Sequence, residues 1–382
     1  MATPAASTTR FAHPFFNNTP PARRTRTPEG TRMTDHIERK LEKIPAVKGK
    51  SIMTLADIIG VAGATEVEKS GKVLFHSTGD TGKRADSPQG DVAAAMTKDF
   101  DIDRPTESPS FFLHLGDVIY GHTKDQGFRQ EFYEPYMHYP GKIVAIPGNH
   151  DGEVFPKTDP VSLRAFLANF CTPKRMIPQI AGTIFRQTMT QPGVYWKLET
   201  TLVDIIGLYS NVAENPGFIS GAIPGQAQKK WLVERLKEIA KERKGGTKKG
   251  LVFAVHHPPI STAGHSGSAE MLKDVDDACD QAGVMPNVFL AAHSHTYQRY
   301  TRRITFNGKA LVIPFIVCGV GGFNAQPVQE AHGEVTGDHS FDKSRHGYGY
   351  LLLEASKTQI AIRTIGVDGT TKEEIERITV PL

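Results

Sequence analysis

Five times along this chain a compact apolar run breaks off into a short island of Asp, Asn, Tyr or His. KVLFHS precedes GDTG, SFFLHL precedes GDVIY, KIVAIP precedes GNHD, LVFAV precedes HHPP, and NVFLAA precedes HSH. Short apolar runs bounded by glycine and polar residues read as buried strands that end in loops. Open α/β folds build their sites from such loops at one sheet edge. The pattern predicts an α/β chain in which Asp80, Asp117, Tyr120, Asn149, His150, His256, His293 and His295 gather at one edge of a sheet. TLVDIIGLY, RYTRRITF, ALVIPFIVCG, GYLLLEA and QIAIRTI add strands, mostly later and without long helices between them, which predicts a second, more antiparallel sheet. AQKKWLVERLKEIAKERK, from Ala227, has helical periodicity with a basic exposed face, and SIMTLADIIGVAG, from Ser51, reads as a short helix docked on the domain.

The residue types in the islands are hard oxygen and imidazole donors. Two metal ions roughly 3.5–4 Å apart need such donors, with positions left open for water and substrate. His293 and His295 alternate at a strand end and so face one side. Each island also has a plainer reading. GDTG alone is a turn in which Asp bonds its own backbone, and Tyr120 alone is a packing residue with a satisfied hydroxyl. Five islands in this order would require five independent coincidences.

The islands resemble, in order and in ligand chemistry, the calcineurin-like metallophosphoesterase superfamily. The commonest pattern there has a His two residues after the first Asp. Here that position is Gly82, while Tyr120 stands three residues after Asp117. That exchange resembles the purple acid phosphatases. VCGVGGFN, from Val317, and HGYGYLLLEA, from His346, are similar to glycine-rich and closing segments of the same family, so the resemblance runs over residues 72–366. It implies two packed mixed β-sheets flanked by helices, a four-layer sandwich. It implies Asp117 as a bridge between two ions, with Asp80, Tyr120 and His295 at one site and Asn149, His256 and His293 at the other. The anionic, phenolate-bearing site suits Fe(III), and the neutral-donor site suits a divalent ion, Fe, Zn or Mn. His150 is implied as the group that binds the phosphate and protonates the leaving alkoxide.

On this resemblance the reaction is hydrolysis of phosphomonoesters by a metal-bound hydroxide, with no covalent phosphoenzyme. Phosphodiesters, including phospholipid head groups in the manner of a phospholipase C, are the alternative substrates, and a metal-binding module without activity is the alternative class. The HHPP island leaves two assignments open, because a one-residue offset exchanges His256 and His257 as ligand. His257, His265 and His122 are candidate substrate contacts. Asp151 either orients His150 or caps a local turn. Ala292 occupies a position where the family usually has Gly, which bears on how closely the backbone approaches there.

Composition sets outer bounds. With 39% hydrophobic and 23% charged residues among 382, the chain reads as a globular protein, and no apolar run approaches the roughly 18 residues that span a bilayer. The net charge is +4, and residues 11–50 hold nine Lys/Arg against four Asp/Glu. A basic tail of this kind is ordinarily solvated, and no nucleic-acid partner is expected. Residues 1–47 lack apolar periodicity and read as a mobile or loosely packed arm, ahead of a single catalytic domain over 48–382. Arg23 and Arg24 are not followed by an apolar stretch, so no signal peptide is read and the expected compartment is the cytoplasm, with export by another route left open. Cys171, Cys279 and Cys318 are too few and too far apart for a disulfide framework.

Overall fold

The computed structural model describes residues 40–121, 124–157 and 159–382. Its strands, in chain order, are β1 (Ile52–Thr54), β2 (Lys72–Thr78), β3 (Phe111–His114), β4 (Lys142–Ala145), β5 (Trp196–Glu199), β6 (Val203–Leu208), β7 (Gly250–Val255), β8 (Val288–Ala291), β9 (Tyr297–Phe306), β10 (Lys309–Cys318), β11 (Glu334–Thr336), β12 (His339–Arg345), β13 (Tyr348–Ser356), β14 (Gln359–Asp368) and β15 (Thr371–Pro381). The α-helices are α1 (Leu55–Ser70), α2 (Pro88–Thr97), α3 (Lys124–Gly127), α4 (Asn149–Gly152), α5 (Arg164–Phe170), α6 (Ala227–Lys244) and α7 (Ala269–Ala282). The strands form two mixed sheets, one of nine strands in the order β1-β5-β6-β7-β8-β10-β9-β12-β11 and one of six in the order β15-β14-β13-β2-β3-β4.

Both sheets follow the same plan. In the smaller one β2, β3 and β4 run parallel, connected through helical segments, while β13, β14 and β15 close it as an antiparallel meander. In the larger one β6, β7 and β8 run parallel through α6 and α7, β10 pairs parallel with β8, and β9 and β12 follow as antiparallel strands. The late strands are therefore divided between the two sheets, where the sequence pattern assigned them to one second sheet. An apolar run reports burial but not the neighbour it pairs with. Buried parallel strands read as continuous apolar runs wherever helices cover them.

One buried core runs between the sheets. Fully buried Trp196, at the start of β5, donates from Nε1 to the carbonyl of Ala145 at the end of β4, 3.1 Å. The Gln191 side chain accepts from the Ala145 N–H and donates to the same carbonyl, both at 2.8 Å. Buried polar groups of this kind must find partners, and these bonds stitch the smaller sheet's edge to the larger. The segment from Ser51 forms strand β1 and then a helix longer than expected. Thr54 and Asp57 make a capping box, Gly60 kinks the helix, and Gly71 ends it with φ 71°. The Ala227 segment is a helix over the expected residues.

The proposed arm lies partly outside the described residues. Its last stretch, however, is packed. Ile44 is buried and donates its N–H to Pro224, the Glu42 N–H donates to Asn211 Oδ1, and the Asn211 side-chain amide donates to the Glu42 carbonyl. Isolated apolar residues among charges carry no periodicity, which is why the sequence left them in the arm.

Away from the strand ends, His76 is fully buried between Tyr139 and Asp99. Burial pulls its pKa below the usual imidazole value, and the Asp99 carboxylate only partly offsets this. Asp99, whose burial works the other way, is held down at about 2 by hydrogen bonds from His76, Lys372 and Tyr350. Below pH 6.5 the unfolded chain takes up a proton at His76 that the folded chain refuses, so stability falls with acidification. The slope is at most ~1.4 kcal/mol per pH unit for one group. Denaturant midpoints measured from pH 7.5 to 5.5 should therefore fall less steeply in His76→Gln than in the wild type, and equal slopes would contradict the account.

Candidate metal centre

The polar islands leave from the carboxyl ends of strands in both sheets. Asp80 follows β2, Asp117 and Tyr120 follow β3, and Asn149 and His150 open α4 after β4, all from the smaller sheet. His256 follows β7, and His293 and His295 follow β8, from the larger sheet. The sequence reading placed all five strands at one sheet's edge. They stand instead at the common end of two packed sheets, three on one and two on the other, because the parallel half of each sheet points the same way.

The turns that carry these residues are strained and crowded. Asp80, Asp117 and His293 have φ of 54°, 53° and 67°, a left-handed conformation uncommon for residues other than glycine and held only where the surroundings over-determine it. Backbone bonds do that here. The Asp80 N–H donates to Gly116, the Thr81 N–H to Asp117, and the Phe323 N–H to Asp80. Gly148 packs so closely that a Cβ there would lie 2.0 Å from Asp117 Oδ1. Ala292 also fits, because residue 79 opposite is glycine. A Cβ on Gly79 would stand 2.6 Å from that of Ala292.

All seven residues expected as metal ligands converge. His256 Nε2 lies 3.3 Å from Asp117 Oδ2, 3.8 Å from Asp80 Oδ1 and 3.1 Å from Asn149 Oδ1. The Tyr120 hydroxyl donates to Asp80 Oδ1 at 3.1 Å and stands 3.4 Å from His295 Nε2, which is 3.8 Å from Asp80 Oδ1. Donor atoms of Asp117, His256 and His293 lie within 4.8 Å of one another. The far ring nitrogens are anchored to main-chain carbonyls, His256 to Leu115, His293 to Glu214 and His295 to Asn324, the arrangement that fixes imidazole ligands.

The electrostatics of this cluster are unbalanced. Asp80 and Asp117 are both fully buried, and Oδ2 of each, like Asn149 Nδ2, has no hydrogen-bond partner. Burial raises the Asp80 pKa against the opposing charges of His295 and His256. Burial acts on Asp117 too, but His256 and His150 overcome it and hold that carboxyl well below its usual range. Burial pulls His256 down, while Asp117 and Asp80 lift it to about 9. Burial, and then Asp117 and Asp80, push the Tyr120 phenol well above its usual value. Buried, unpartnered carboxylate oxygens are costly, and cations placed among these oxygens and imidazoles would satisfy them. The residues present fit such a group.

Around the cluster, His150 Nε2 is 4.0 Å from Asp117 Oδ2, and its ring centre is 4.3 Å from that of Tyr120. A cleft of about 470 Å³ is lined by Asp117, His150, His265, His293, His295 and Phe323 among others. His265 thus borders the cleft, with ring nitrogens near the amides of Asn215 and Gln326. His257 does not face it. This residue is fully buried, its Nδ1 2.7 Å from Ser210 Oγ and its Nε2 2.8 Å from the Ala213 carbonyl. That corrects its candidacy as a substrate contact and favours His256 for the ligand position. Asp151 accepts the N–H groups of Gly148, Val118 and Ile119, so it braces the loop and does not orient His150. His122 lies outside the described residues. A larger cleft, about 770 Å³, sits at the other end of β8 and presents Arg243, Lys244, Arg299 and Lys309 with no cluster of ligating side chains.

Several neighbours escaped the sequence reading. Phe323 stacks on Tyr120 with centroids 3.5 Å apart and planes 3° from parallel. Glu131 accepts the Tyr120 N–H at 2.6 Å, and burial raises its pKa to about 8. Glu153 and Lys124 pack beside His150. Two of these left a trace, Phe323 inside the VCGVGGFN segment and Glu153 as a carboxylate three residues beyond His150 in HDGE.

Residues 74–297 match the calcineurin-like phosphoesterase family, and the chain belongs to that family. Such a domain implies metal-dependent phosphoester hydrolysis. No curated protein matches the chain. Among solved structures, it is similar to GAP50, the anchor in the inner membrane complex of Plasmodium, at 16% identity and TM-score 0.53, over 81% of this chain and 89% of that one. It is also similar to PhoD at 13% identity and TM-score 0.49, over 81% of this chain and 72% of that one. Likeness at this identity speaks to fold alone. Among the described residues no helix is long and apolar enough to cross a membrane.

The two neighbouring histidines should separate cleanly. His256→Ala should reduce the metal retained by the protein in elemental analysis. His257→Ala should retain it while losing about 1–3 kcal/mol of stability through its two buried hydrogen bonds. The reverse pattern would refute the assignment.

Proposed function

We propose that the chain is a dinuclear phosphomonoesterase of the purple acid phosphatase type. Asp117 would be the shared ligand, Asp80, Tyr120 and His295 would hold one ion, and Asn149, His256 and His293 the other. The single observation that carries this reading is the pair of buried carboxylates with unpartnered oxygens, Asp80 and Asp117, ringed by imidazole, phenol and amide donors from both sheets. Metal ions bound there would make water a competent nucleophile near neutral pH and neutralise charge on the transferring phosphoryl group.

The chain's own residues do the rest. Asp117 carries a net negative charge into the centre, which offsets repulsion between adjacent cations. His150 stands at the cleft with Nε2 inward, suited to bind a phosphate oxygen and to deliver a proton to the leaving group. His265 borders the same cleft and is suited to a substrate oxygen. Phe323 covers the outer face of Tyr120 and keeps water from the phenol.

Tyr120 supports the iron-bearing form of the reading. Its hydroxyl is buried beside two carboxylates, surroundings that oppose ionisation. Only a cation of high charge density would draw off that proton, and Fe(III) with a divalent Fe, Zn or Mn partner meets the requirement better than two divalent ions. The test is turnover of p-nitrophenyl phosphate and bis-p-nitrophenyl phosphate from pH 4 to 9, with metal content and visible absorption measured in parallel. Faster turnover of the monoester and a phenolate-to-iron absorption band that Tyr120→Phe abolishes are expected. A preference for the diester would replace the substrate class. A colourless active protein would remove the iron assignment, and no turnover by metal-loaded protein would favour a binding module.

A further inference from the structure

The site so far leaves one buried acid without a role. Glu153 follows α4 directly, is 2% exposed, and places Oε1 2.9 Å from His150 Nδ1. The other ring nitrogen of His150 is the one turned toward Asp117 and the cleft. The backbone beneath the ring is held as well. Buried Lys124 donates from Nζ to the His150 carbonyl at 2.5 Å, lies 4.0 Å from Glu153 Oε2, and stands over the Phe155 ring at 5.2 Å. Tyr120 packs against the imidazole from the other side.

Resting on the phosphatase reading above, we propose that Glu153 is the positioning residue for His150. A neutral imidazole carries one N–H, and the acceptor placed at one nitrogen decides which nitrogen holds it. With Glu153 accepting from Nδ1, the ring can turn only Nε2 to the substrate, and the flipped orientation would take the Nδ1 donor away from Glu153 Oε1. Lys124 supplies the counter-charge that lets Glu153 stay buried. In the reaction the doubly protonated ring is the donor: the oxygen of water bonds to phosphorus, the bond from phosphorus to the ester oxygen breaks, and that oxygen takes the proton from His150 Nε2, leaving the neutral ring with its proton on Nδ1 against Glu153. The proton released by the water restores the imidazolium.

This role has a signature that a packing role lacks. A proton donor matters for a poor leaving group and little for a good one. The kcat of the metal-loaded wild type, Glu153→Gln, His150→Ala and the double variant is measured on an alkyl phosphate, glycerol 2-phosphate, and on p-nitrophenyl phosphate. Glu153→Gln should lower kcat on the alkyl ester by about 10-fold or more, and on the nitrophenyl ester by less than about 3-fold. In the His150→Ala background it should cost nothing further, with metal content unchanged throughout. Equal losses on both esters, or a full additional loss in the double variant, would overturn the proposal. A second reading needs no variant. In nitrogen NMR of the wild type the neutral His150 ring should carry its proton on Nδ1, and the Nε2–H tautomer would overturn the assignment. Failure of the wild type to turn over either ester would count against the phosphatase reading, whereas turnover without leaving-group dependence on Glu153 would count against this inference alone.

Discussion

Two carboxylates, Asp80 and Asp117, sit with no exposed surface in the seam between two sheets, and most of what surrounds them answers that fact. Bringing like charges together away from water is among the least favourable acts a fold performs. The protein tolerates it because both side chains occur on turns locked by backbone hydrogen bonds, and because imidazoles arrive from the opposite sheet to share the charge. The left-handed backbone of Asp80, Asp117 and His293 belongs to the same account. Strain at these turns is sustained by the two packed sheets, and strain that clusters on donor residues points to a site rather than to a fold.

The donor set was legible in the sequence because each donor stands within six residues of the end of a buried strand. A strand fixes where its last residue points, so an Asp or His at that boundary can be read without knowing the partner strands. Hence Asp80, Asp117, Tyr120, Asn149, His256, His293 and His295 could be placed in one cluster. The distribution of strands was not legible. β6, β9 and β10 read as apolar strand segments just as β13 and β14 do, yet join different sheets, since pairing depends on connections and packing that a one-dimensional pattern does not encode. The packed residue Ile44 was lost among charged neighbours for a similar reason.

The layer behind the donors was hidden for a different reason. Phe323, Glu131, Lys124 and Glu153 touch the cluster through side chains that begin on elements with no periodic signal of their own. Glu131 lies on the helical turn Phe128–Tyr133, and Phe323 lies in a glycine-rich loop. Their meaning appears only once the chain is folded, as with His257, whose neighbour His256 is chemically identical and yet faces the other way. The Gly79 and Ala292 pair makes the same point in packing. A methyl group that would obstruct one approach is accommodated by the lack of one across the interface.

Because the donors come from both sheets, the cluster cannot exist in either half of the chain alone. A polypeptide emerging from the ribosome would present Asp80, Asp117, Tyr120 and Asn149 long before His256, His293 and His295 are synthesised. Until β7 and β8 dock, the early half offers mostly oxygen donors, a set that grips first-row transition cations weakly and exchanges them freely. On the proposed dinuclear reading, tight capture of cations would thereby be deferred to the last stages of assembly, so that loading would mark a chain whose two halves have already closed on each other.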